Sequence, residues 1–387
     1  MSPDTSKFID AYGGTTDSIL CFHAPGRVNL IGEYTDFNGG PVFPCAIDRG
    51  NTLYVRRTTD ATIEFISEHF ADRRSLQGAE LEQKQGNDSW VNYPLGVINE
   101  FAKLGHSLHG LQLYYTGNVP SGAGLSSSAS IEVLTAFALN QLFELGIAKV
   151  DLAVLAQRAE NNFVGVQCGI MDQFAVAMAE EDYAIALQCD TLEYRQVPLK
   201  LGQYKIIISN TNQQRGLAEI AYNERVSECN TALAALEPAT GAAQLASITP
   251  EQLAGNLHLL TDPVIRNRAS HVISETNRVY QAVTALTVND LKTFGQLMND
   301  SHASLRDLFE VSSDPLDSLV KHANAIPGVA GSRMTGAGFG GCTVSLVHSD
   351  AVEKFKATVG KLYFEETGLH ADFYETGAAN GVQQLPL

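Results

Sequence analysis

The 387-residue chain carries 26 Lys and Arg against 43 Asp and Glu, a formal net charge of −17, with 44% hydrophobic and 18% charged residues. That length exceeds one ordinary core and implies two domains with well-filled interiors. The acidic excess argues against nucleic acid as a partner, and any nucleotide bound here would depend on local donors and a divalent cation.

The first residues, Met1 to Lys7, lack an apolar targeting core, and no run approaches the ~20 residues that cross a bilayer. Six cysteines are scattered without a CxxC pair, which favours reduced thiols. A cytoplasmic protein without membrane attachment is expected.

From Ile19 to about Cys45, apolar pairs alternate with glycines, as in short strands joined by tight loops. Within this stretch the run Gly26 to Gly40 places Arg27, Glu33 and Asp36 among glycines. Carboxylates on a short loop suit sugar hydroxyls, because each oxygen accepts two donors, although acids on a solvated turn would look the same. Thr52 to Arg57 and Thr62 to Ser67 alternate like half-exposed strands. Trp90 to Leu104 reads as a helix with Pro94 in its first turn, and Leu111 to Tyr115 as a strand.

Pro120 to Ser130 is the most informative run. Gly122 and Gly124 remove side chains that would hold a bulky anion off the backbone. The serines then occupy the cap and first turn of a helix, where open N–H groups and the helix dipole attract phosphate. The helix continues from Ile131 to Leu145 with one apolar face. Asp151 is placed to cap the next helix, which ends near Phe163 and is closed by Gly165. In the run Cys168 to Phe174, Asp172 is the one charge in an apolar helical stretch, Ile170 to Ala179, and Glu160 ends the preceding helix. Two acids beside a phosphate loop can divide their duties between a hard cation and an incoming hydroxyl.

A strand from Tyr204 to Ser209 opens a second half, so the domain boundary is expected near residue 200, giving domains 1–200 and 201–387. Helices are expected at Ala218 to Leu236, His271 to Ala285 and Asn299 to Phe309. The run Gly331 to Cys342 contains a literal GxGxxG but leads into a strand, Cys342 to Val347, so it is no dinucleotide fingerprint. It reads as a backbone-donor loop closing over a ligand. Strands and helices mix without regular alternation, which gives two α+β domains with a cleft between them.

These runs, in this order, resemble the galactokinases among the GHMP small-molecule kinases. Trp90 to Tyr93, Ala221 to Arg225 and Ser301 to Asp307 agree with that family too, so the resemblance covers nearly the whole chain. It implies a ribosomal-protein-like N-terminal α/β domain, a ferredoxin-like C-terminal domain and an active site in the cleft between them. The implied reaction is ATP-dependent phosphorylation of galactose at its anomeric hydroxyl, giving galactose 1-phosphate and ADP. By the same resemblance Asp172 is the catalytic base with Arg27 beside it. Glu33, Tyr34, Thr35, Asp36, Gly169 and Tyr222 join Asp172 in holding the sugar. Gly122, Ala123, Gly124, Leu125, Ser126, Ser127 and Ser128 wrap the ATP phosphates, with Ser67, Trp90 and Tyr93 at the nucleoside end. Ser128 and Glu160 hold Mg²⁺. The implied partners are a small sugar and ATP, without nucleic acid, membrane or an obligate protein.

Three residues depart from the family pattern. Tyr34 stands where galactokinases usually carry His, Phe37 lacks the hydroxyl of their Tyr, and Ile220 replaces a common Ser. These changes bear on substrate identity and leave a kinase for arabinose or an amino sugar as an alternative. A silent sugar sensor is the other alternative, against which the complete serine run, Ser126 to Ser130, counts.

Overall fold

A computed structural model describes residues 4–77, 82, 90–120, 123–213 and 218–387. Helix α1 (Ser6–Tyr12) precedes strands β1 (Leu20–Asn29), β2 (Pro41–Val42), β3 (Pro44–Arg57), β4 (Thr62–Ser67) and β5 (Phe70–Gln77). Then come α2 (Asn92–Lys103), β6 (Leu111–Gly117), α3 (Ser127–Leu142), α4 (Lys149–Ala159), α5 (Met171–Met178), β7 (Tyr183–Gln188) and β8 (Tyr194–Pro198). The second half holds β9 (Tyr204–Asn210), α6 (Ala218–Thr240), α7 (Pro250–Asn256), α8 (Pro263–Thr287), α9 (Leu291–Ser304) and α10 (Asp314–Asn324). It closes with β10 (Val329–Thr335), β11 (Cys342–His348), α11 (Val352–Thr367), β12 (Asp372–Thr376) and β13 (Gln383–Leu385).

Six strands form the first sheet in the order β13-β1-β3-β6-β4-β5, antiparallel except where β4 runs parallel to β6. Four form an antiparallel sheet, β10-β11-β9-β12, and three a small one, β2-β7-β8. The mixture of strands and helices is the expected α+β kind. Residues 199–203, where the expected boundary falls, link β8 to β9.

Two features place the site. Alternating residues of the first sheet, Phe22, Leu53 and Phe65, pack against α2 and α3 through Phe101, Val133 and Leu139 in one core. This fixes the start of α3 beside the end of β1. A second core draws from both halves: Val28, Leu30 and Phe43 meet Ile208, Phe294, Met298 and Val344. Each fully buried side chain of this size contributes about 1.5–3 kcal/mol, so the cleft has a rigid floor.

Local differences have simple causes. Asp151 is not a cap, since α4 starts two residues earlier after Ala148, but its charge lies in the first turn, where the helix dipole favours it. A π-turn, Glu160–Val164, follows α4 directly, and Gly165 at φ +100° ends it. Helix α8 begins eight residues before the expected His271, where Asp262 accepts the Val264 N–H and Pro263 takes the first position. No helix among the described residues is long and apolar enough to cross a membrane, and no disulfide joins any of the six cysteines.

Candidate active site

Three glycine runs remote in sequence are layered at the cleft. The Arg27 N–H donates to the Leu125 carbonyl at 3.2 Å, and a Cβ on Gly26 would stand 2.6 Å from that oxygen. From the other side the β10–β11 turn brings Gly336, at φ +78°, so near that its Cβ would lie 2.8 Å from the Gly124 carbonyl. The layering requires glycine at both contacts.

Arg27 is the hub. Its Nη1 donates to the Gly124 carbonyl at 2.9 Å, while Nε and Nη2 donate to Asp172 Oδ1 and Oδ2, each at 2.8 Å. This two-pronged fork fixes both position and orientation of the carboxylate. Asp172 projects from the first turn of α5, and the Ser126 hydroxyl donates to its Oδ2 at 2.5 Å. Beside them α3 begins, and its first N–H groups, from Ser127 on, have no partner within the helix. Helix ends of this kind attract phosphate.

Behind the loop lies a carboxylate pair. Ser128 stands near Glu160 and favours its charged form, but the carboxyl is pushed up first by burial and then by the charge of Asp172. Gln173 Nε2 donates to Glu160 Oε2 at 2.6 Å and to Glu132 Oε2 at 3.1 Å. Glu132 is wholly enclosed, and burial followed by the charge of Glu160 raises it far above the carboxylate range.

The opposite wall belongs to the Gly26–Gly40 run. Glu33, buried, accepts from the Asn29 side-chain amide and from the Gly336 N–H at 2.6 Å, and faces Arg333 at 3.1 Å. Burial pushes its carboxyl up, against the pull of Arg333. Nearby N–H groups of Phe37 and Met171 favour the charged form of Asp36, yet burial and then the charge of Asp172 raise it to about 7. A Cβ on Gly169 would stand 2.1 Å from Asp36 Oδ2. Tyr34, at φ +65°, packs its ring 5.3 Å from Tyr222 and 4.6 Å from Phe309, and its hydroxyl donates to the Ala337 carbonyl at 2.5 Å. Beneath, Glu275 accepts the Gly32 N–H at 2.9 Å; burial works against its charge, but Arg278 and His271 hold it down at about 2.

These walls enclose a cavity of about 660 Å³. Arg27, Glu33, Tyr34, Asp36, Tyr93, Gly124, Leu125, Ser126, Ser127, Ser128, Glu160, Gly169, Asp172 and Tyr222 all line it. Other expected residues lie elsewhere. The Thr35 hydroxyl, expected on the sugar, turns inward to the Pro41 carbonyl at 2.7 Å and the Gly32 carbonyl at 3.0 Å. Ala123 is packed in the shared core. Ser67 accepts the His69 N–H at 3.3 Å, and Trp90 lies buried under Phe70, their rings 5.6 Å apart and parallel; neither lines the cavity. Gly122 falls outside the described residues.

Sequence reasoning missed Glu132, Gln173 and Arg333. Gln173 neighbours Asp172, Glu132 is a lone acid in an apolar helix, and Arg333 is the one cation of the last glycine run. Each signal was present, but only the packing shows what each side chain meets.

Among the described lining residues, four carboxylates stand against one guanidinium. A triphosphate cannot enter such a wall without a countercharge. Ser128 and Glu160 supply a hydroxyl and a carboxylate to the same cavity at the phosphate loop, a hard-oxygen pair of the kind Mg²⁺ takes while keeping water and phosphate ligands. The donor set fits that ion.

The chain matches the GHMP kinases N terminal domain over residues 92–180, the galactokinase galactose-binding signature over 6–57 and the GHMP kinases C terminal domain over 282–365. It is 47% identical to a galactokinase of Clostridium acetobutylicum over 366 residues, covering 94% of each chain. It is 44% identical to one of Lactiplantibacillus plantarum, covering 98% of each. The structure of Lactococcus lactis galactokinase complexed with galactose superposes with a TM-score of 0.96 at 40% identity, covering 98% of both chains. Methanococcus jannaschii mevalonate kinase shares the fold, with a TM-score of 0.68 at 20% identity over 95% of this chain and 100% of that one.

Proposed function

The chain belongs to the GHMP kinases and, within them, to the galactokinases, and from that membership we propose how its cleft phosphorylates galactose with ATP. The acceptor is the anomeric hydroxyl, and the products are galactose 1-phosphate and ADP. The observation that carries this reading is the Arg27–Asp172 fork, which sets a carboxylate between the start of α3 and the Glu33–Asp36 wall.

The γ-phosphate sits at the start of α3 among the N–H groups of Gly124 to Ser128. Ser128 and Glu160 would hold Mg²⁺, which would supply countercharge to the phosphates. The sugar lies against Glu33, Asp36, Gly169 and Tyr222, with its anomeric hydroxyl on Asp172. Its oxygen attacks the γ-phosphorus while the bridging oxygen leaves with its electron pair as ADP, and the hydroxyl proton passes to Asp172. The transition state is loose, so the proton departs late, and the protein's work is positioning and charge stabilisation. Arg27, fixed by Gly124 and Asp172, adds positive charge where the transferred group passes. Tyr93 and Pro120, which also line the cavity, are proposed to meet the nucleoside. ATP supply and the absence of disulfides favour the cytoplasm as the place of action.

The test is a panel of galactose, arabinose and galactosamine in a coupled ADP-release assay, with the phosphorus–proton coupling of the product identifying the esterified carbon. Galactose is expected to turn over fastest, with phosphate on C1. ADP release that prefers another sugar, or phosphate on C6, would refute the assignment.

A further inference from the structure

We propose that Ser126 is a positioning residue for the base, acting on the acceptor side of the reaction rather than on the nucleotide. The inference rests on the reading of Asp172 as the base. Ser126 occupies the cap of α3 at φ +61° and ψ +44°, the left-handed region that glycine enters freely and other residues rarely hold. A serine at a helix cap ordinarily turns its hydroxyl to an N–H of the first turn. This one makes no such bond. Its hydroxyl instead donates to Asp172 Oδ2 at 2.5 Å, and the residue is only 6% exposed. A strained conformation is therefore kept together with a hydroxyl whose hydrogen bond goes to the base.

The consequence lies in the lone pairs of Asp172. A carboxylate offers about four acceptor positions. Arg27 Nε and Nη2 approach Oδ1 at 2.8 and 2.7 Å, and Nη2 and the Ser126 hydroxyl approach Oδ2 at 2.8 and 2.5 Å. The Ser126 hydroxyl thus holds the Oδ2 side of the carboxylate that the guanidinium leaves uncovered, and confines the approach of the sugar hydroxyl. Without Ser126 the carboxylate keeps its ion pair but loses its hold on Oδ2, and the incoming hydroxyl no longer meets the base in a fixed direction.

The test compares Ser126→Gly and Ser126→Ala with Asp172→Asn. Glycine removes the hydroxyl and the strain together, while alanine removes only the hydroxyl. Both variants are expected to lose at least about tenfold in kcat. Their Kd for ATP with magnesium, by calorimetry, stays within about twofold of the parent, and the Tm of Ser126→Gly is no lower. Retention of kcat by Ser126→Gly would overturn the proposal. So would a tenfold loss of ATP affinity, which would put the hydroxyl on the phosphates, or a fall in Tm with kcat unchanged. The Asp172→Asn arm separates the two claims: parent-like turnover there removes the base itself, whereas an inactive Asp172→Asn beside a fully active Ser126→Gly removes only the role of Ser126.

Discussion

Residue 169 has room for nothing beyond a hydrogen, because a methyl group would fall 2.1 Å from Asp36 Oδ2 and 2.2 Å from its Cγ. Gly169→Ala must push Asp36 out of the sugar wall. Its KM for galactose is expected to rise at least about tenfold, with the KM for ATP unchanged; steady-state kinetics against each substrate decides this. Burial and then the charge of Asp172 push the Asp36 carboxyl up to about 7, above the ordinary carboxylate value of ~4, so the folded protein holds that proton more tightly than the unfolded chain. Its contribution to stability is complete below ~pH 4 and is lost as pH rises through about 7. Urea unfolding should show the parent losing about 1–2 kcal/mol against Asp36→Asn between ~pH 5 and ~pH 8, whereas a constant difference would refute it. Arg27, Glu33, Asp36 and Asp172 stood out in the sequence as charges among glycines and apolar residues, but a solvated turn or a helix cap would look the same, and only the family resemblance gave them roles. Thr35 was not legible, since a hydroxyl beside two acids does not reveal that it faces Pro41 and closes its own turn.

Three elements meet behind the phosphate loop: α3 brings Glu132, the turn after α4 brings Glu160, and α5 brings Gln173 between them. Removing the amide leaves two buried carboxyl groups without their common donor. Gln173→Leu is expected to weaken apparent magnesium affinity about tenfold and to lower stability by about 1–3 kcal/mol. Magnesium titration of ADP release and chemical unfolding test both, and an unchanged magnesium dependence would remove the bracket from the site. The existence of α3, α5 and the strands β4 and β11 was legible from apolar spacing. Their ends depended on chemistry that periodicity does not carry. Asp262–Pro263 and Thr249–Pro250 both start helices, the latter with a complete capping box through Gln252, and neither lies within an apolar repeat. The π-turn at Glu160 has no spacing signal at all, yet it turns that carboxylate toward Ser128.

The last strand returns to the first half. β13 pairs with β1, and the Val382 N–H donates to the Val176 carbonyl at 2.8 Å. Together with the shared core, this ties residues 1–200 to the chain end. Removing residues 377–387 is expected to lower Tm by more than 5 °C and to leave one cooperative calorimetric transition, not two; unchanged melting would show the strand to be dispensable. A division near residue 200 was suggested by the change of pattern there, but contacts that join Val28 to Val344 leave no local trace in a sequence. The layering of Gly26, Gly124 and Gly336 has the same long-range origin, and it places the base opposite the phosphate loop. That arrangement is tested most directly by Asp172→Asn, with ATP affinity and galactose-dependent ADP release measured on the same folded sample. ATP binding within about twofold of the parent, with turnover reduced at least about a thousandfold, is the expected result. Galactose phosphorylation near the parent rate would contradict it.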